Sequence, residues 1–391
     1  MNLFVETFTR SLNKYGEELC GDCVEVVRTP ESVIAVLADG LGSGVKANIL
    51  ATLTTKIISS MLKQGAEVDE VVATLAATLP VCQVRQLAYS TFLILQIFLE
   101  EREAYLVEFD CPETLFWRQS KIIPIAKTVR EVGGRRIKEA RFSIEENDTM
   151  ILISDGVVHA GVGGVLNLGW QWANVAQYVE KVMQHETEMP KVVSLLTDVC
   201  DNLYVRKPGD DTTVVGVKIR PIEHVTLLAG PPKDPEQDEV VATKLLTGNG
   251  KKVVCGGTTA QIVSRVSGRP LLTSLSFPEA DVPPTAKIPG IDLVTEGVLT
   301  LSRALELIRL ARDNGASYRD ISELNRLDGA SRLARLLLSE CTHLHVLVGQ
   351  AINPAHQNPG LPLNLALKLK VVNDICQELR DAGKVVAVEY F

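Results

Sequence analysis

The apolar positions of this chain follow two spacings, and the switches between them mark out its elements. An unbroken apolar run at 33–38 has the length of a strand buried on both faces. From Gly44 the apolar residues fall at Ala47, Leu50, Leu53, Ile57, Ile58, Met61 and Leu62, which predicts an amphipathic helix ending at Gly65. A second helix is expected over 68–79, stopped by Pro80. Runs at 91–99, 104–109, 114–118 and 150–154 read as strands, followed by helices at 170–184 and 191–204 and a last strand ending near Ile219. Strands from distant parts of the chain interleaved with paired helices predict an α+β sandwich, its helices packed outside the sheets.

A polar, Pro-rich stretch at 230–238 breaks the pattern and reads as a turn or linker. Short apolar strands at 224–229, 252–255, 343–348 and 384–389 alternate with helical stretches at 240–246, 301–312 and 365–382. This predicts a separate α/β domain with a largely parallel sheet, so the expected domains are 1–222 and 223–391.

Two of the apolar runs end in Asp-Gly: Asp39-Gly40 after 33–38, and Asp155-Gly156 after 150–154. A third acidic turn, Gly209-Asp210-Asp211-Thr212-Thr213, opens the last strand of the first domain. Asp-Gly alone is a common turn. Three acidic turns at strand ends can converge when the strands pair, and converging carboxylates are costly unless a cation neutralises them. Oxygen donors suit Mg²⁺ or Mn²⁺ rather than zinc. Asp39 is the expected bridge between two ions, with the Gly40 carbonyl on one of them. Such a pair would acidify a shared water for attack on phosphorus.

In order along the chain, Ala38-Asp39-Gly40-Leu41-Gly42-Ser43-Gly44, Tyr89-Ser90-Thr91-Phe92, Ser154-Asp155-Gly156-Val157 and Gly209-Asp210-Asp211-Thr212-Thr213 resemble the motifs of the metal-dependent (PPM) serine/threonine phosphatases, in particular the bacterial SpoIIE type. The resemblance covers about 10–220. It implies a β-sandwich between helical layers, two Mn²⁺ or Mg²⁺ ions, and hydrolysis of phosphoserine or phosphothreonine. It makes Asp39, Asp155 and Asp210 the catalytic carboxylates. The implied metal set is Asp22, Asp39, Gly40, Asp155 and Asp210, with Asp22 acting directly or through water. Asp211 and Thr213 would support Asp210, and the amides at 42–44 would meet phosphate at a helix start. The chain departs from many members in having Leu41 where they carry a His, and in lacking a clear match for their N-terminal phosphate-binding Arg, for which only Arg10 is available. Thr91 reads as an ordinary strand residue and His159 as a surface or supporting His. The implied partner is a phosphorylated protein such as an anti-sigma-factor antagonist. The alternative is a non-catalytic pseudophosphatase scaffold or ligand-sensing regulator.

Net charge is −8 over 391 residues and no basic stripe appears, which argues against nucleic acid as a partner. The densest basic stretch, 130–141, contains Glu131 and Glu139 and reads as a solvated loop. No leader is apparent, and the apolar-rich stretch 45–62 is interrupted by Lys46, Asn48 and Lys56, so no membrane role and a cytoplasmic location are expected. The eight cysteines read as small buried hydrophobes, the Cys20–Cys23 pair included. In the second domain, Cys255-Gly256-Gly257-Thr258-Thr259-Ala260 follows a strand and opens a helix, either as an anion site or as a tight turn. Thr295-Glu296-Gly297 and 349–354 also lie near strand ends. A small-molecule ligand or a homodimer through this domain is therefore an open expectation.

Overall fold

The structure, a computed structural model, describes residues 3–78, 81–82, 87–88, 90–273, 286–313, 315–351 and 364–391. The sequence expectations at 79–80, Tyr89 and 352–354 lie outside them. Two compact units are present: Met1–Pro221 with Asn314–Tyr318, and Ile222–Asp313 with Arg319–Phe391.

The first unit runs β1 (Leu3–Leu12), β2 (Asp22–Arg28), β3 (Ser32–Gly40), α1 (Gly44–Lys63), α2 (Val68–Thr78), β4 (Val81–Cys82), β5 (Leu87–Ala88), β6 (Ser90–Phe98) and β7 (Glu103–Phe109). It continues through β8 (Leu115–Arg118), β9 (Lys121–Ile123), β10 (Thr128–Val132), β11 (Arg135–Ser143), β12 (Thr149–Ile153), α3 (Asp155–Val158), α4 (Trp172–Met183), α5 (Met189–Leu203) and β13 (Thr212–Pro221). Two large antiparallel sheets result, ordered β1-β13-β12-β8-β9 and β10-β11-β7-β6-β3-β2, and β4 pairs with β5 in a separate two-stranded ribbon.

Strand β3 reads as an unbroken apolar run because both of its faces are buried. Val33, Ala35 and Leu37 join Leu93, Leu95, Met150, Leu152 and Val215 in the core between the sheets. Ile34, Val36 and Ala38 face the other way, onto Ala51, Ile58 and Leu62 of α1 and Val71 and Leu75 of α2. Ile151 and Ile153 of β12 likewise meet Val175 and Val179 of α4 and Val192 and Leu196 of α5. The layers are therefore helix, sheet, sheet, helix, as the α+β reading expects.

The basic stretch 130–141 is a β-hairpin rather than a solvated loop. Gly133 and Gly134 take φ +58° and +73°, the two-residue turn that suits a twisted hairpin. Ile137 is fully buried, while Arg130 forks onto Asp69 at 2.6 and 2.9 Å and Arg141 pairs with Glu103 at 2.7 Å.

In the second unit five parallel strands stand in the order β18 (Leu293–Thr295), β15 (Lys251–Cys255), β14 (His224–Ala229), β19 (His343–Val348) and β20 (Val385–Tyr390). The short antiparallel strands β16 (Leu272–Thr273) and β17 (Ala286–Lys287) extend the β18 edge. The helices are α6 (Asp238–Thr247), α7 (Gly257–Ser267), α8 (Val298–Arg312), α9 (Tyr318–Ser322), α10 (Gly329–Ser339) and α11 (Asn364–Asp381). Strand order 3-2-1-4-5 is that of a doubly wound α/β domain. Leu228, Val254 and Val294 pack with Val241 and Leu245 of α6 and Ala260 and Val263 of α7. Among the described residues no helix is long and apolar enough to cross a membrane.

Candidate functional site

Strand pairing brings the acidic turns of the first unit together. Asp22 stands directly opposite Asp39 across β2 and β3, and Asp39 is opposite Thr91 on its other side. The Ser90 hydroxyl donates to the Asp39 carbonyl at 2.9 Å, and the Gly40 amide donates to the Gly21 carbonyl at 3.1 Å. Gly40 is needed for close approach, since a Cβ there would stand 2.0 Å from the Ala47 carbonyl oxygen of α1. The chain therefore turns from β3 into α1 with no room for a side chain between them.

The second sheet supplies the other acids. Asp155 opens α3 just after β12, and Asp210 and Asp211 precede β13. The two turns are tied together: the Ser154 amide donates to the Thr213 carbonyl at 3.0 Å, and the Thr213 amide donates to the Ser154 hydroxyl at 2.8 Å. Tyr204 fixes the same corner by donating its hydroxyl to the Gly156 carbonyl at 2.8 Å. Gly156 permits the approach, because its Cβ would lie 2.1 Å from the Asp211 carbonyl oxygen.

The electrostatics of this corner are unfavourable without a cation. Asp22 is 5% exposed, and neither of its carboxylate oxygens has a hydrogen-bond partner among the described residues. Burial pushes its carboxyl well above the ordinary range, and Asp211 and Asp155 add to the shift; the nearby hydroxyls of Thr213 and Ser154 oppose it without closing a hydrogen bond onto it. Asp39 is pushed further, first by burial and then by Asp22, Asp155 and Asp210. Asp210 is raised by burial and Asp155; the Lys14 ammonium, 3.8 Å away, opposes this. Asp22, Asp39, Asp155 and Asp210 thus share one field although they come from two sheets. A buried carboxylate without a partner, set among three others that offer only oxygen, fits hard divalent cations. Among the described residues, no three His, Cys, Asp or Glu side chains stand ready around one point.

The remaining candidates fall around this group. Asp211 is buried and accepts from the Lys14 amide at 3.0 Å; its carboxylate fills the space where Gly21 lacks a Cβ. The Thr213 hydroxyl donates to Ser11 at 2.8 Å. Gly42 and Gly44 hold φ of +114° and +61° at the entry to α1. That helix start already faces a carboxylate: Ser43 donates to Glu17 at 2.8 Å, and a Cβ on Gly44 would meet Glu17 Oε2 at 2.2 Å. Arg10 is buried and engaged with Asp198 at 2.8 Å and the Ser194 carbonyl at 3.3 Å, so α5 holds its guanidinium. His159 is the C-cap of α3. Cys20 is a free thiol pushed up by burial, Asp22 and Asp211, which disfavours the thiolate that metal or redox chemistry requires. Sequence reasoning missed Lys14, Glu17 and Tyr204, which sit in or beside irregular segments and carry no motif. Ser154 was within sight, as the residue preceding Asp-Gly.

Two facing antiparallel sheets between helical layers, with acidic turns gathered at their strand ends, define a PPM-like domain. Residues 29–220 match the family model described as Stage II sporulation protein E (SpoIIE), while the C-terminal domain is unrecognised. No curated protein matches. Among solved structures, the chain is similar to the PP2C phosphatase domain with a fragment of the regulatory domain of SpoIIE from Bacillus subtilis, at 19% identity over 56% of this chain and 64% of that one, TM-score 0.48. It spans less than two thirds of that relative. It is also similar to RsbX in complex with magnesium, at 18% identity over 55% of this chain and 95% of that one, TM-score 0.40. A third likeness is to a serine/threonine phosphatase of S. agalactiae, at 14% identity over 55% of this chain and 99% of that one, TM-score 0.39.

Proposed function

We propose that the N-terminal domain is a phosphoprotein phosphatase that uses two Mn²⁺ or Mg²⁺ ions to hydrolyse phosphoserine or phosphothreonine on a bacterial signalling protein, with the C-terminal domain as its regulator. The observation that carries this reading is Asp22, buried with both oxygens unpartnered and in register opposite Asp39. A carboxylate kept in that state costs stability unless a ligand uses it.

Asp22, Asp39, the Gly40 carbonyl, Asp155 and Asp210 would hold the ions. Bound cations would neutralise phosphoryl charge and acidify water. The protein's own groups then have defined tasks. Burial and the carboxylates of Asp22, Asp155 and Asp210 raise the proton affinity of Asp39, so a cation entering beside Asp39 would compete with its proton. Lys14 offers the site a positive side chain beside Asp210. Glu17 repels an anion from the amides at 42–44, so substrate phosphate depends on the cations and Lys14. An anti-sigma-factor antagonist fits as substrate on the family likeness.

The test is hydrolysis of p-nitrophenyl phosphate and of a phosphoserine peptide by the full chain, with Mn²⁺ and with EDTA. Turnover that needs Mn²⁺ supports the proposal. The rival reading, a non-catalytic scaffold, draws on the absence of a ready coordination group among the described residues. Mn²⁺ binding with no turnover on either substrate would favour it.

A further inference from the structure

The parallel strands of the second unit end in an arrangement that the phosphatase reading does not use. β15 and β18 finish side by side, Cys255 opposite Thr295, and the Gly256 amide donates to the Thr295 carbonyl at 3.0 Å. Each strand leads straight into a helix whose N-cap is glycine: Gly256 for α7 and Gly297 for α8. Neither cap provides a side-chain acceptor. In α10, by contrast, Asp328 accepts from the Ala330 and Ser331 amides at 2.9 Å. The two uncapped starts abut, since a Cβ on Gly297 would meet the Gly256 Cα at 3.9 Å. Two positive helix ends are therefore pooled at the carboxyl edge of a parallel sheet, the edge where α/β domains take their ligands.

A second observation points into the same place. Thr259, in the first turn of α7, is 1% exposed, and its hydroxyl has no hydrogen-bond partner among the described residues. That hydroxyl lies 3.0 Å from where a Cβ on Gly256 would stand, so it faces the helix start. Gly256 holds φ +119°, a conformation that favours glycine. Beside it, the Cβ position of Gly257 has nothing within 4 Å among the described residues, leaving open space at the first turn. Unused amides, a buried hydroxyl without a partner and an adjacent opening together lack one thing, an acceptor with several oxygens.

We propose that the start of α7, with Thr259 and the abutting start of α8, binds the phosphate group of a small phosphorylated molecule. Amides from successive residues and a hydroxyl match a tetrahedral oxyanion better than a planar carboxylate. The turn contains no Lys, so a triphosphate held with Mg²⁺ in P-loop fashion is not its ligand.

The test is calorimetric titration of the full chain in EDTA, at fixed ionic strength, with inorganic phosphate, AMP and adenosine. EDTA removes cations from the first domain, so this result stands or falls apart from the phosphatase reading. Phosphate and AMP are expected to bind saturably and adenosine not to bind. Tighter binding of AMP identifies an ester as the ligand, and tighter binding of phosphate the free ion. Thr259→Val removes only the hydroxyl, and Gly257→Asp places a carboxylate in the open space. Each is expected to weaken phosphate binding at least tenfold, while Thr259→Val keeps or raises the melting temperature. No saturable binding, equal binding of adenosine and AMP, or unchanged affinity in both variants overturns the proposal.

Discussion

Replacing Gly156 by alanine tests how the acidic turns are held. Gly156 lies in α3 with ordinary helical backbone, where alanine would normally gain up to about 1 kcal/mol. The contacts reverse that sign. The new Cβ would stand 2.1 Å from the Asp211 carbonyl oxygen and 2.6 Å from Thr212 Oγ1, whereas ordinary contact begins at 3.4 Å. The two turns must part by about 1.3 Å. The obstructing atoms are mainly backbone at the start of β13, so no rotamer change relieves them. Overpacking of this kind costs about 1–3 kcal/mol. Parting the turns also strains the Ser154–Thr213 pair of hydrogen bonds, each worth about 1 kcal/mol. The net expectation is a loss of about 2–4 kcal/mol, a fall of roughly 5–15 °C in the melting of the first domain. Scanning calorimetry of the full chain reads this directly, with Gly164→Ala as control, since its Cβ meets only an ordinary 3.6 Å contact. Mn²⁺ titration of the same variants reads the site, and affinity should fall only for Gly156→Ala. Unchanged melting and unchanged Mn²⁺ affinity in Gly156→Ala would refute the close-approach argument.

Further expectations concern the charges. Asp39→Asn or Asp210→Asn should lower Mn²⁺-dependent hydrolysis by about 100-fold or more, beyond what loss of an outer supporting group costs, with circular dichroism unchanged; wild-type turnover in either would break the metal assignment. In the metal-free protein the raised carboxyls of Asp22 and Asp39 bind protons that the unfolded chain has released. Stability should therefore fall as pH rises from about 4 towards about 9, the value to which Asp39 is pushed. The melting temperature in EDTA should be lower at pH 8.5 than at pH 5.5, and Mg²⁺ should narrow the gap; a higher value at pH 8.5 would contradict the burial of these acids. Lys14→Met removes a half-exposed partner of Asp210 at 3.8 Å and should change stability by less than about 1 kcal/mol. Kinetics with the phosphopeptide should show KM raised more than kcat falls, and an unaltered KM would remove Lys14 from substrate binding.

The acidic turns were legible because each is a local signal, an apolar strand ending in Asp-Gly or an acidic pair opening a strand. Their glycines were legible for only part of their purpose. The sequence does not reveal that Gly40 and Gly156 are pressed against backbone from Ala47 and Asp211. Strand β1 was hidden for a different reason. Its polar residues are neutralised in the fold, Glu6 by Arg220 at 2.8 Å and Arg10 by Asp198 at 2.8 Å, so its alternation looks too polar for a buried element. The hairpin at 128–143 was obscured in the same way by charges that pair across strands, although Gly133-Gly134 was the turn signal to read. Lys14 and Glu17 reach the site from a loop, and nothing in their local sequence marks them. The parallel sheet of the second unit was visible in its short apolar strands, but the orphaned hydroxyl of Thr259 appears only with the packing around it.

The position of β13 has a consequence for how the chain is made. It is the last strand of its unit, yet it lies between β1 and β12 in the sheet, and Leu12 waits for Thr212 as its partner. At about 5–20 residues per second a ribosome needs roughly 10–40 s to cover that interval. Over that interval β1 lacks its partner strand, and once 149–153 are made β12 adds a second open edge of the kind that recruits foreign strands, while Asp22 and Asp39 already face each other without Asp210. The arrival of 212–221 closes the sheet and completes the acidic cluster in a single event. A nascent chain arrested before that segment would be a natural client for chaperones, and on the proposed metal site one arrested just beyond it would be the first able to retain a divalent ion.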